Sequence, residues 1–117
     1  MELTSKKIGQ ICMVQVSGVV DSETVDGFAA ELNRLTDGGE RLIVLDMAGL
    51  KYINTAGLSL IADLFKKTSH AMGSLKLLHV TEPIRELLDI VRFTRIIDLY
   101  DDEQEAIESF LTGGDER

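Results

Sequence analysis

Apolar and polar positions along this chain follow two alternating periods, and the switches between them mark its elements. In residues 10–20, Ile11, Met13, Val14, Val16, Val19 and Val20 read as a strand, which Gly18 interrupts with a bend or bulge. A weaker strand precedes it in residues 2–8, and Gly9-Gln10 joins the two as a hairpin. Residues 22–36 change to helical spacing: Val25, Phe28, Ala29, Leu32 and Leu35 share one face, with Glu23, Asp26 and Glu31 outside it. Ser22 or Thr24 caps this helix and Gly38-Gly39 stops it. Leu42-Ile43-Val44-Leu45 is a continuous apolar run, the pattern of a strand buried on both faces of a parallel sheet.

A second helix is predicted over residues 55–72, with Leu58, Ile61, Ala62 and Phe65 inward, Leu60 and Leu64 widening the stripe, and Gly73 closing it. Residues 75–80 form another buried strand. Pro83 opens a third helix carrying Ile84, Leu87, Leu88 and Val91. Residues 96–99 give a short strand, and Asp101 or Asp102 caps a last helix with Ala106, Ile107, Phe110 and Leu111. The predicted order is β-β-α-β-α-β-α-β-α. That is a single α/β domain over residues 1–112: a mostly parallel central sheet with an N-terminal hairpin and four helices, then a frayed tail at 113–117. Right-handed crossovers gather the strand-to-helix loops at one rim, so the loops around Asp21 and Asn54 are expected to be neighbours. Partners of open α/β sheets use that rim.

Composition narrows the classes. Apolar residues make up 44% and charged residues 27%, as in globular domains. Aromatics are 5% with no tryptophan, so the core must be aliphatic. No apolar run approaches the roughly 20 residues of a membrane span, and the first nine residues lack the apolar region of a signal peptide. A cytoplasmic location is expected. Cys12 is the sole cysteine, which rules out an internal disulfide, and its apolar neighbours mark it as a core thiol. The net charge is −8 with no Lys/Arg cluster, which argues against nucleic acid and anionic membrane as partners.

Catalytic signatures are absent. Gly38-Gly39-Glu40 lacks the Gly-Lys-Ser/Thr ending of a phosphate-binding loop, and no Gly-x-Ser-x-Gly elbow occurs. His70, His79 and Cys12 do not have metal-ligand spacing. Asp21, Asp46, Thr55 and Lys76 could suggest an aspartate-phosphorylated receiver, but the paired acids after a first strand are missing. No cofactor is expected.

The start of the second helix is the candidate site. Asn54 and Thr55 are both good capping types. Gly57 leaves the first turn without side-chain bulk, which would let a partner approach the backbone. A phosphate on Thr55 would meet unpaired N–H groups and the positive end of the helix dipole, so the fold should survive modification. The alternative is that Thr55 is an ordinary cap. Asp21 either presents Thr55 or caps the first helix, and Asp46 ends its strand and anchors the next turn.

These residues carry a family resemblance. Gly18-Val19-Val20-Asp21, a helix, Val44-Leu45-Asp46-Met47-Ala48-Gly49-Leu50, then Tyr52-Ile53-Asn54-Thr55-Ala56-Gly57-Leu58 resembles the STAS domain of bacterial anti-sigma factor antagonists. The likeness extends to Pro83 and Ala106 and spans nearly the whole chain. It implies a binding module rather than an enzyme. Such antagonists bind an anti-sigma factor that is also a serine/threonine kinase and so free the sigma factor. Phosphorylation at the start of the second helix breaks that complex and a phosphatase restores it; here the position is Thr55. The family usually has Asp-Ser where this chain has Asn54-Thr55; threonine keeps the hydroxyl, and some stressosome-type relatives also use it. The expected partner footprint is Asp21, Asn54, Thr55, Ala56, Gly57, Leu60 and Leu64, with Leu58 and Leu60 alternatively core, on a protein that is a monomer when alone. Competing readings are a constitutive STAS subunit of a larger assembly, stressosome-like or a lipid-transport ABC complex, and a small enzyme using Asp21, Asp46 and Thr55.

Overall fold

The computed structural model describes residues 1–112. The element order is the predicted one: β1 (Glu2–Ile8), β2 (Ile11–Val20), α1 (Val25–Asp37), β3 (Leu42–Ile53), α2 (Thr55–His70), β4 (Ser74–Leu78), α3 (Glu82–Ile90), β5 (Asp98–Tyr100) and α4 (Glu103–Thr112). A 3₁₀ turn, Phe93–Arg95, leads into β5. The expected tail at 113–117 lies outside the described residues.

The strands lie in chain order, β1-β2-β3-β4-β5. β1 runs antiparallel to β2, and every later pairing is parallel. Each crossover therefore steps the same way across the sheet, and a constant hand puts α1, α2 and α3 on one face. Phe28, Leu32 and Leu35 of α1, Leu58, Ile61 and Leu64 of α2, and Ile84 and Leu88 of α3 pack there on Val14, Val16, Ile43, Leu45, Leu75 and Leu77. α4 takes the other face, where Ala106, Ile107 and Phe110 cover Ile11, Met13, Val44 and Leu78. Each fully buried Leu or Ile contributes roughly 1.5–3 kcal/mol. Burial also pushes the Cys12 thiol above its ordinary value of 9.0, as expected of a core thiol.

Three sequence expectations change here. β3 does not end at Asp46: it runs on to Ile53, because Ser17 pairs with Gly49, Gly18 with Leu50 and Val20 with Ile53. The register shifts around Ser17 and Gly18, where Gly18 adopts φ +89°, are the predicted bulge. Leu64 is 2% exposed and belongs to the core, so it cannot meet a partner. The third helix stops at Ile90, leaving Val91 as its exposed cap.

Candidate functional site

β2 and β3 end side by side, and this sets the site. Val20 pairs with Ile53, and the Asn54 N–H donates to the Val20 carbonyl at 2.9 Å. The loops that carry Asp21 and Asn54 are neighbours, as the crossover argument required. Asn54 has extended backbone angles, and its Oδ1 accepts the Gly57 N–H at 2.8 Å. Asn54 is therefore the cap of α2 and Thr55 is its first residue.

That division of labour frees Thr55. It is exposed, and its hydroxyl makes no hydrogen bond among the described residues. Ala56 and Ser59 are exposed beside it, and α2 has no acidic residue in its first turn. The hydroxyl thus faces solvent at the positive end of a helix, next to a neutral cap.

Asp21 is half-buried and committed to its own turn. Its Oδ1 accepts the N–H groups of Glu23 at 2.9 Å and Thr24 at 3.2 Å, while the Thr24 hydroxyl donates to the Val19 carbonyl at 2.7 Å. Neither Ser22 nor Thr24 caps α1 through its side chain; Asp21 holds that turn. The loop beside Thr55 is consequently fixed.

Gly57 is a correction. It is buried, and a Cβ there would lie 2.6 Å from Ile53 Cγ1 and 2.8 Å from Val20 Cγ1. Its bare α-carbon lets α2 settle onto the ends of β2 and β3; it does not open the backbone to a partner. Leu58 is core, and Leu60 is half-buried against the same cluster. Of the expected footprint, Thr55 and Ala56 are exposed, Asn54, Asp21 and Leu60 are partly so, and Gly57 and Leu64 are inside.

The other residues singled out lie elsewhere. Asp46 sits within β3 on the face that carries α4, and its Oδ1 accepts the Ala48 N–H at 3.1 Å. His79 Nδ1 lies 3.2 Å from the same oxygen, a bond that requires the proton on Nδ1. His79 reaches it from a left-handed backbone (φ +56°), and periodicity alone gave no sign of this pair. Lys76, largely buried, pairs with Asp98 at 3.1 Å and lies over the Phe110 ring. Asp46 and Lys76 are therefore not gathered around Thr55, and these residues do not form a receiver-like cluster. Among the described residues no group of three His, Cys, Asp or Glu could hold a metal ion, and no helix is long and apolar enough to cross a membrane. A cavity of about 570 Å³ lies between the far ends of α1 and α2, lined by Thr36, Glu40, Lys66 and His70. About three turns of α2, roughly 16 Å of helix from Thr55 to Lys66, separate it from Thr55.

The sheet thus carries three helices on one face and one on the other, with the exposed Thr55 at its strand-ending rim. The STAS domain family model matches residues 2–106, and the chain belongs to that family. A candidate anti-sigma factor antagonist of Bordetella bronchiseptica, BtrV, is 33% identical over 96% of this chain and 97% of its own length. The anti-sigma F factor antagonist of Paenibacillus polymyxa is 26% identical, over 83% of this chain and 84% of its own. The anti-sigma factor antagonist SpoIIAA, solved unphosphorylated, has the same fold, with a TM-score of 0.80 at 16% identity over 96% of this chain and 97% of that one. SpoIIAA, a Bacillus protein, has also been solved phosphorylated.

Proposed function

We propose that this chain is an anti-sigma factor antagonist, a binding module that holds an anti-sigma factor/serine-threonine kinase while Thr55 is unmodified and releases it when Thr55 carries phosphate. The observation that carries this reading is the free Thr55 hydroxyl at the start of α2, capped by Asn54 and set beside the fixed Asp21 loop. The names of the relatives, and a phosphorylated form of SpoIIAA, support it. The footprint is Asp21, Asn54, Thr55 and Ala56, with Leu60 at its edge. The module works in the cytoplasm, has no catalytic role, and is returned to its binding state by a phosphatase.

The physics is a local charge change. A phosphothreonine adds about −1.5 to −2 charges. The positive end of α2 accommodates that charge within the domain, whereas a closely packed partner surface cannot. A loss of about 3 kcal/mol weakens binding roughly a hundredfold, enough for a switch without refolding.

The test is a pull-down from the source organism's lysate with and without ATP, reading bound proteins and Thr55 phosphate by mass spectrometry. A small kinase should be recovered and released as Thr55 gains phosphate. Thr55→Ala should retain it in ATP, and Thr55→Asp should bind it roughly a hundredfold more weakly. If Thr55→Asp binds as tightly as the unsubstituted protein, the switch reading is wrong. Recovery of a transporter ATPase or large scaffold with Thr55 unmodified would assign the domain to a constitutive assembly instead.

A further inference from the structure

We infer that the outer edge of β1 is a self-complementary surface, and that two copies of this chain pair there, antiparallel, about a two-fold axis at Thr4. β1 is the edge of the sheet and hydrogen-bonds only to β2, so its outward N–H and C=O groups have no strand partner. The strand is seven residues long, contains no proline, and is exposed at Glu2, Thr4, Ser5, Lys6 and Lys7. Other edges are blunted: β5 at the opposite end has three residues.

The register follows from the backbone. Alternate residues of an edge strand turn their backbone groups outward, so a two-fold pairing must oppose residues of the same parity. An axis at Thr4 sets Glu2 of each copy opposite Lys6 of the other, and Thr4 opposite Thr4. An axis at Leu3 would set Glu2 against Thr4, and one at Ser5 would set Lys6 against Thr4. Only the Thr4 register joins opposite charges on directly facing positions. Glu2 and Lys6 form no ion pair within the chain among the described residues, whereas Lys7 is tied to Glu40. Glu2, Thr4 and Lys6 share the sheet face on which Thr4 bonds Gln15, and α4 covers only Met13 and its neighbours there. The edge is therefore open to a second copy. β2 lies between this edge and β3, whose end leads into Asn54 and Thr55. The net charge of −8 on each copy opposes association, which makes this a pairing of concentrated protein and departs from the monomer expected from the sequence.

Sedimentation velocity from about 10 μM to about 1 mM tests it. The weight-average mass should rise from 12.9 kDa toward twice that value. Glu2→Lys, or Lys6→Glu, sets like charges opposite each other and should weaken association at least about tenfold. The double exchange Glu2→Lys with Lys6→Glu should restore it. Both positions of change, Glu2 and Lys6, are on the exposed edge, and circular dichroism checks that the fold is intact. A single-chain mass at about 1 mM overturns the proposal. So does a dimer that is indifferent to the charge reversals, which would place the contact on another face.

Discussion

At Asn54 and Thr55, one side chain closes the helix and the other is left for chemistry. Sequence reasoning named both as caps, because Asn and Thr fill that role alike; only the backbone angles assign the cap to Asn54. Capping by Asn54 Oδ1 makes a specific prediction: Asn54→Ala should lower unfolding stability by about 1 kcal/mol, while Asn54→Ser should keep most of it. Urea unfolding measures both, and equal midpoints for Asn54→Ala and the unsubstituted chain would reject the cap. The same limit on sequence applies to Asp21. Presenting Thr55 and holding the first turn of α1 need the same residue at the same place, and the hydrogen bonds from Glu23 and Thr24 add the turn-holding role to Asp21 without bearing on the other. The Asp46–His79 contact was out of reach, since 33 positions separate its members and a left-handed residue brings them together.

Between elements, the legible part was the period and the illegible part was the register. Apolar spacing located the four helices and five strands of the described residues, because each buries a stripe or a face against the sheet. It truncated β3, since Asp46 and Gly49 look like a strand ending when read singly. Continuation to Ile53 depends on pairing with β2, a non-local property. The same non-locality hid the purpose of Gly57. Helix propensity alone says that Gly57→Ala should stabilise α2 by up to about 1 kcal/mol. The close approach to Val20 and Ile53 reverses the sign: Gly57→Ala should destabilise by about 1–3 kcal/mol through overpacking. A lowered urea midpoint at unchanged slope is the expected result. A raised midpoint would mean that the two side chains yield freely and that α2 is not seated by this contact.

Across the whole molecule, the two faces of the sheet are unequally loaded, and this sets where it opens first. α1, α2 and α3 share one continuous core that includes β2, β3 and β4, whereas α4 rests on a smaller cluster and on the short edge strand β5. Regions with fewer buried contacts open at lower free energy than the global transition. Hydrogen exchange at low micromolar concentration should therefore find β3 and the middle of β2 slowest, with α4 and β5 exchanging together through a smaller opening. Phe110 joins these parts, because its ring packs on the second cluster and faces the Lys76 ammonium at 5.5 Å while Lys76 holds Asp98 of β5. Phe110→Ala removes a half-buried aromatic, so it should weaken α4 docking by about 1–1.5 kcal/mol. That corresponds to roughly five- to tenfold faster exchange in α4 and β5. Amides of β3 that exchange only by global unfolding would change less than those of α4. If β3 and α4 accelerate equally, α4 is part of one cooperative unit with the main core, and the division of the fold by sheet face does not describe its energetics.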